Sequence, residues 1–66
     1  MFNEKKFRMA LIENGLKIDD IAKALKVSKT TIYRKIKGES DFFRSEIQTI
    51  AEMVGKENAN QIFFAN

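Results

Sequence analysis

The sequence predicts an all-α protein, a compact bundle of five short helices in a single domain covering residues 1–66. Three observations predict this class. The chain has no proline and only three glycines, and Gly15, Gly38 and Gly55 divide it into pieces of helical length. Apolar residues recur at spacings of three and four, whereas strand-like alternation over four or more residues is hard to find. Hydrophobic residues make up 44% of the chain and charged residues 32%, as in a folded globular domain.

The first two helices are expected over residues 3–14 and 18–25. The first helix ends at Asn14-Gly15, because this pair is a stop signal in which glycine adopts a left-handed conformation. The second helix carries acidic residues in its first turn, where the helix dipole favours negative charge. The apolar residues that we expect these helices to bury are Phe7, Ala10, Leu11, Ile21, Ala22 and Leu25.

The remaining three helices are expected over residues 28–37, 44–54 and 58–64. Ser28 is a good N-cap for the third helix, because its hydroxyl can accept a hydrogen bond from the first turn. Their buried residues should be Ile32, Ile36, Ile47, Ile50, Ala51, Val54 and Ile62, with one of Phe63 and Phe64. In the loop before the fourth helix we expect one of Phe42 and Phe43 to cover the core, and we expect the acidic residues of the helices, Glu46 among them, to lie on the surface.

The charge of the chain is concentrated in one segment. The formal net charge is +3, from 12 basic and 9 acidic side chains. Residues 29–37 contain Lys29, Arg34, Lys35 and Lys37 and no acidic residue, so this segment carries +4 and the rest of the chain sums to 8 − 9 = −1. A basic segment on a neutral body is typical of a nucleic-acid-binding protein, although a lysine-rich solvated helix face would give the same count.

The composition argues against several classes of function. The chain has no cysteine and no histidine, which excludes disulfides, zinc sites of the Cys/His kind and Cys–His or Ser–His nucleophile pairs. No apolar run approaches the ~20 residues of a membrane span. We therefore expect no enzymatic activity, no catalytic residues, no metal or cofactor, no small-molecule substrate and no membrane partner, and we expect a cytoplasmic protein.

The most informative interval is the connection between the second and third helices. The second helix ends at Leu25 and the third is capped by Ser28, so only Lys26 and Val27 lie between them. A connection this short forces two helices to cross steeply, as in a helix-turn-helix. The third helix then presents its polar residues outward, and these residues are Lys29, Thr30, Tyr33, Arg34 and Lys37.

The chain resembles the lambda-repressor-like family, which includes the phage repressors and Cro proteins. The helix-turn-helix residues that carry the resemblance are Ile21-Ala22-x-x-Leu25-x-Val27-Ser28-x-x-Thr31-Ile32-x-Arg34-x-x-x-Gly38. Two further segments are similar to the fourth and C-terminal helices of small phage regulators, namely Arg44-Ser45-Glu46-Ile47-x-x-Ile50-Ala51 and Ile62-Phe63-Phe64-Ala65. The resemblance extends over nearly the whole chain.

This resemblance implies a sequence-specific, double-stranded DNA-binding transcriptional regulator. The recognition helix, residues 28–37, would lie in the major groove of an operator, and a homodimer on DNA would place two such helices on half-sites about one helical turn apart. Implied base contacts are Lys29, Thr30, Tyr33 and Arg34; implied phosphate contacts are Lys17, Ser28, Thr31, Lys37 and Arg44. Ile62, Phe63 and Phe64 are candidates for the dimer contact.

The chain departs from the family pattern at three positions. Lys26 stands where glycine is usual, so either this lysine adopts a positive φ or the turn is distorted. Ile18 stands where a polar phosphate contact is usual, which leaves that contact to a backbone N–H or to Lys17. The apolar residue late in the third helix is Ile36, where many relatives place it one position earlier, at Lys35, and this leaves open whether Lys35 is solvated.

An alternative function belongs to another class. Some proteins with this fold act as antirepressor or antitoxin-like modules that bind another protein. The +4 charge of residues 29–37 favours DNA over such a partner, because a protein partner would not require it.

Overall fold

The computed structural model describes residues 2–65 of the chain and contains, within that range, five α-helices and no strands. The all-α prediction is therefore confirmed. The helices are α1 (Glu4–Glu13), α2 (Ile18–Leu25), α3 (Lys29–Ile36), α4 (Arg44–Val54) and α5 (Lys56–Phe63). Only α5 differs from its predicted start by two residues, because Gly55 alone, with a φ of 96°, reverses the chain between α4 and α5.

All five helices contribute to one hydrophobic core. Helix α5 packs against α1 and α4, and α2 packs against α3 and α4. Each helix supplies one large, fully buried apolar side chain, and these are Phe7, Ile21, Ile32, Ile50 and Ile62. Helices of 8 to 11 residues are marginal in isolation, so this shared burial is what stabilises them.

A cluster of phenylalanines closes the core on one side. The Phe42 ring stacks on Phe2 with a centroid distance of 5.2 Å and meets Phe63 edge-on at 5.3 Å. Phe43, in contrast, is 64% exposed. The expectation that one of this pair covers the core is confirmed, and Phe42 is the one that does.

The first described residues are joined to the end of α5. Asn3 caps α1, since its side-chain Oδ1 accepts a hydrogen bond of 3.0 Å from the Lys6 backbone N–H. Its own backbone N–H donates to the carbonyl of Ile62 at 2.7 Å. The two ends of the described chain therefore lie side by side.

The turn between α2 and α3 is built on a left-handed lysine. Lys26 has φ 59° and ψ 40°, and it is the one non-glycine residue with a positive φ in the described range. The next residue, Val27, donates its backbone N–H to the Ala22 carbonyl at 3.0 Å, which reverses the chain directly after α2. Of the two alternatives for Lys26, the structure has the positive φ. A residue with a Cβ in this region costs about 1–2 kcal/mol.

The end of α3 is joined to the start of α4 by a buried ion pair, which corrects the expectation for Glu46 and answers the open question whether Lys35 is solvated. Lys35 is only 4% exposed and Glu46 only 8%. The Lys35 Nζ lies 3.0 Å from the Glu46 Oε1. Glu46 is therefore not the surface charge that helix periodicity suggests, and Lys35 is not a solvated lysine. Both Lys35 and Ile36 point inward, so the core face of α3 is wider at its C-terminus than expected.

Further polar contacts satisfy this buried pair. The Lys35 ammonium also donates to the Asp41 carbonyl at 2.9 Å and lies 4.2 Å from the centroid of the Phe43 ring. Glu46 accepts a second hydrogen bond, 2.8 Å long, from the Phe43 backbone N–H ahead of α4. Buried charges are tolerated only when they are paired and hydrogen-bonded in this way. The pair consequently fixes the loop between α3 and α4 as well as the two helices.

We expect Lys26→Gly to stabilise the protein, because glycine adopts a positive φ without steric cost. The expected gain in the free energy of unfolding is about 0.5–1 kcal/mol, since the greater freedom of glycine in the unfolded chain offsets part of the relief. Urea denaturation measures it. Lys26→Ala removes the same charge but keeps a Cβ, so it should give no comparable gain; equal gains from both variants would contradict the strain argument.

We expect Glu46→Gln to destabilise the protein by about 3 kcal/mol, because it leaves the buried Lys35 ammonium without a counter-charge. The matched control is Glu4→Gln, which breaks the exposed Glu4–Arg8 pair of similar length (2.9 Å) and should cost less than about 0.5 kcal/mol. The double variant Lys35→Met/Glu46→Gln should recover part of the loss. Thermal melting distinguishes these outcomes, and equal effects of the two single Glu→Gln variants would show that burial of the pair is unimportant.

Candidate nucleic-acid interface

Helix α3 presents one polar side to solvent. Four exposed residues follow the helical spacing i, i+3, i+4 and i+7, and they are Thr30, Tyr33, Arg34 and Lys37. The opposite side of α3 is buried through Ile32, Lys35 and Ile36. The predicted base contacts thus share one accessible surface, on which Lys29, at the first position of α3, is also exposed.

Two hydroxyl side chains form hydrogen bonds at the N-terminus of α3. Ser28 is the N-cap, as predicted, and its Oγ accepts a hydrogen bond of 3.1 Å from the Thr31 backbone N–H. The Ser28 hydroxyl also donates to the Thr31 Oγ1 at 3.0 Å. Both residues are primarily structural here, although neither hydroxyl is used to its full hydrogen-bonding capacity.

An ion pair joins the first turns of α2 and α3. The Lys29 Nζ lies 2.9 Å from the Asp19 Oδ1, and the two side chains are 58% and 54% exposed. The hydrogen bond to Asp19, with the added attraction of its charge, raises the pKa of Lys29 above its usual value. The ammonium is therefore cationic throughout the physiological pH range and already has one acceptor.

Lys17 and Arg44, which were also predicted to contact DNA phosphates, lie at the starts of the helices that flank α3. Lys17 is the exposed N-cap residue of α2, and its backbone N–H donates to the Asp20 Oδ2 at 2.8 Å. Arg44 is the exposed first residue of α4. Because Lys29 pairs with the first turn of α2 and Lys35 with the first turn of α4, the N-termini of both helices are held beside α3.

These pairings reduce the free charge of the basic segment. Of the four cations in residues 29–37, Lys35 is neutralised by Glu46 inside the protein and Lys29 is paired with Asp19 at the surface. Among the described residues, Arg34 and Lys37 form no ion pair. The segment therefore presents two unpaired cations, 4 − 2 = 2, where its composition alone gives +4.

The three candidates for a dimer contact separate into buried and exposed residues. Ile62 is fully buried and Phe63 is only 7% exposed, so both belong to the core and neither can reach a second copy in this conformation. Phe64 is 63% exposed. It borders a shallow groove between α4 and α5 that Arg44 and Lys56 also line.

Sequence reasoning missed the acidic partners of Lys29 and Lys35, namely Asp19 at the surface and Glu46 inside the protein. Both were expected to be simple surface charges, because their lysine partners lie ten and eleven positions away in the chain and no helical spacing connects them. One signal was present for Glu46. It is the third residue of α4, where an acidic side chain commonly accepts a hydrogen bond from the residue ahead of the helix, as it does here from Phe43.

The chain matches a helix-turn-helix family profile. The family profile described as the helix-turn-helix domain of resolvase matches residues 9–39, just under half of the chain. This segment covers the second half of α1, both helices of the candidate motif and the turn that follows α3. No curated protein and no solved structure matches the chain significantly. None of the helices within residues 2–65 has the length and apolar character needed to cross a membrane.

The match and the geometry agree on the central element of the chain. Helices α2 and α3 are in contact and joined by three residues, 26–28, of which Lys26 is left-handed, and α3 exposes a polar face. The matched profile covers this same pair of helices. The chain thus contains a helix-turn-helix.

Proposed function

We propose that this protein is a cytoplasmic, sequence-specific regulator of transcription that binds double-stranded DNA. Its mode of action is binding rather than catalysis. The observation that carries the proposal is the exposed polar face of α3, where Thr30, Tyr33, Arg34 and Lys37 share one surface on a helix whose C-terminal end is held by the buried Lys35–Glu46 pair. The resolvase helix-turn-helix match supports it, because that family model covers the same helices.

The chemistry of this face fits the major groove of B-DNA. The groove is about 12 Å wide and admits one α-helix, and its base edges offer acceptors and methyl groups to Arg, Lys and Thr side chains. Arg34 is unpaired and exposed, so its guanidinium is free to make a bidentate contact with guanine. On the same side of the helix, Thr30 lies one turn before Arg34, and Tyr33 lies one turn before Lys37.

Residues around this helix would contact the phosphates of the DNA backbone. Lys17 ahead of α2, Arg44 at the start of α4 and Lys37 after α3 are exposed cations. Helix N-termini favour phosphate, because their first backbone N–H groups are not used within the helix. Ser28 and Thr31 add hydroxyls at the third such terminus.

The small recognition surface favours a homodimer on an operator with two half-sites. A single α3 of eight residues reads few base pairs, and dimers of this kind place their recognition helices one DNA turn apart. For the contact between subunits we choose the surface around the exposed Phe64 and exclude the buried Ile62 and Phe63. The similarity to phage repressors and Cro proteins, noted from the sequence, makes a phage-type regulator the specific form of this proposal.

A protein-binding function is the second candidate, and one observation favours it. On α1, Ile12 is 77% exposed and Met9 is 52% exposed, and their spacing of i and i+3 places these two apolar side chains on the same side of the helix. An antirepressor or antitoxin-like module would use such residues to bind another protein. The free charge of +2 on residues 29–37 also weakens the electrostatic argument that separates the two functions.

Selection of bound duplexes from a random pool, followed by binding at increasing salt, tests the proposal. A DNA-binding regulator should select a motif, and log Kd should rise with log salt by about 0.9 per phosphate contacted. Binding that is absent, or that does not respond to salt and selects no motif, would contradict the proposed function and favour the protein-binding alternative.

We expect Arg34→Ala to abolish the preference at one base pair of the selected motif and to weaken binding to that motif by about 1–3 kcal/mol, because a bidentate guanine contact is lost. Lys37→Ala should weaken binding to all sequences about equally and reduce the salt slope by about one. The control is Lys5→Ala, which removes an exposed cation from α1. A selected motif that Arg34→Ala leaves unchanged would show that the recognition face is assigned wrongly.

A further inference from the structure

The Asp19–Lys29 ion pair places a carboxylate inside the proposed DNA interface. Asp19 is the second residue of α2 and Lys29 the first residue of α3, and their charged atoms are 2.9 Å apart. Both side chains are more than half exposed, and Lys29 is one of the proposed base contacts, so the pair lies at the edge of the surface that would face DNA. An acidic residue at this place is unexpected, since its charge repels the phosphates that the surrounding cations attract.

Resting on the proposed DNA-binding function, we propose that Asp19 is a positioning residue that determines specificity. It directs the Lys29 ammonium to a base edge on the operator, and it keeps the charge of Lys29 from contributing to binding on other sequences. Both effects increase the ratio of specific to non-specific affinity, because one strengthens the specific complex and the other weakens the non-specific complex.

The first effect follows from the donors of the ammonium group. A lysine Nζ has three N–H donors and no acceptor. One donor is occupied by the Asp19 Oδ1, which leaves two for the O6 and N7 acceptors of guanine. Lysine is otherwise a flexible point charge on a four-carbon stem, so the bond to Asp19 supplies the orientation that the side chain lacks by itself.

The second effect follows from the way proteins bind DNA of any sequence. Such binding comes from cations that neutralise phosphates and release counterions. An ammonium that already faces a carboxylate at 2.9 Å adds little net charge to this process. Asp19 also stands in the first turn of α2, a place where a phosphate would otherwise be favoured.

The pair does not serve stability, which separates it from the buried pair of α3 and α4. Exposed ion pairs contribute little to folding, whereas the buried Lys35–Glu46 pair holds a loop and two helices. Replacing Asp19 is therefore expected to leave the fold and the melting temperature nearly unchanged. A change in DNA binding can then be assigned to the interface itself.

The test compares Asp19→Asn with the wild-type chain on the selected motif and on random-sequence duplex. We expect Asp19→Asn to bind the random duplex about fivefold more tightly at low salt, the effect of one unit charge about 4 Å away in water. Its salt slope should be steeper by about 0.9, the contribution of one more phosphate contact. In selection from a random pool it should lose preference at one base pair, the same one that Lys29→Gln loses.

Three further variants make the result specific to Asp19. Glu57→Gln, on α5, gives the same change in net charge and should alter neither the salt slope nor the selected motif. Asp19→Glu keeps the carboxylate and should retain the wild-type salt slope. The double variant Asp19→Asn/Lys29→Gln should select the same motif as Lys29→Gln alone, because Asp19 acts through Lys29.

Two results would overturn the inference while leaving the proposed function intact. One is a wild-type motif that Asp19→Asn retains in full while it binds every sequence more tightly by the same factor. The other is an equal effect of Asp19→Asn and Glu57→Gln. A wild-type chain that selects no motif and does not respond to salt would instead overturn the proposed function, and the inference with it.

Discussion

The arrangement of the domain depends on the buried ion pair between Lys35 and Glu46. A cation and an anion removed from water are tolerated only in one geometry, so they restrict how α3 lies against α4. The Asp41 carbonyl and the Phe43 backbone N–H complete the hydrogen bonding of the pair and hold the loop between the helices. We infer that this network limits rotation of α3 about its axis, and with it which residues of α3 face outward. The exposed polar face therefore depends on a charge that solvent does not reach.

Much of the fold could be predicted because it is encoded locally. The helical spacing of apolar residues, the Ser28 cap and the glycine at position 15 are signals that act within a few residues, and the structure contains all of them. The left-handed Lys26 was one of two alternatives implied by the family resemblance, since glycine is usual at this position of the turn. Local rules were insufficient for the start of α5. Gly55 is both the C-cap of α4 and the N-cap of α5, so α5 begins directly after it at Lys56.

The candidate site was less predictable, because its charges are paired over long distances in the chain. Residues 29–37 contain four cationic side chains, but ion pairs with residues outside this segment neutralise two of them. Neither Asp19 nor Glu46 has a sequence pattern that assigns its partner, and only the crossing of α2, α3 and α4 brings the charges together. The same limitation applies to Ile62 and Phe63, whose apolar character fits a core and a subunit contact equally well until burial is known. The polar types on α3 were readable from the sequence, but their net electrostatic effect was not.

The hydrogen bond from the Asn3 backbone N–H to the Ile62 carbonyl has a consequence for how the domain combines with other chains. This hydrogen bond, 2.7 Å long, holds Asn3 beside the end of α5. A polypeptide fused at either end of the domain would therefore leave from the same region of the surface. A single short linker could then join the ends and allow new termini elsewhere, for instance in the loop after α1. In tandem fusions, both neighbouring domains would attach beside each other, so that copies would branch from a common point rather than extend along a line.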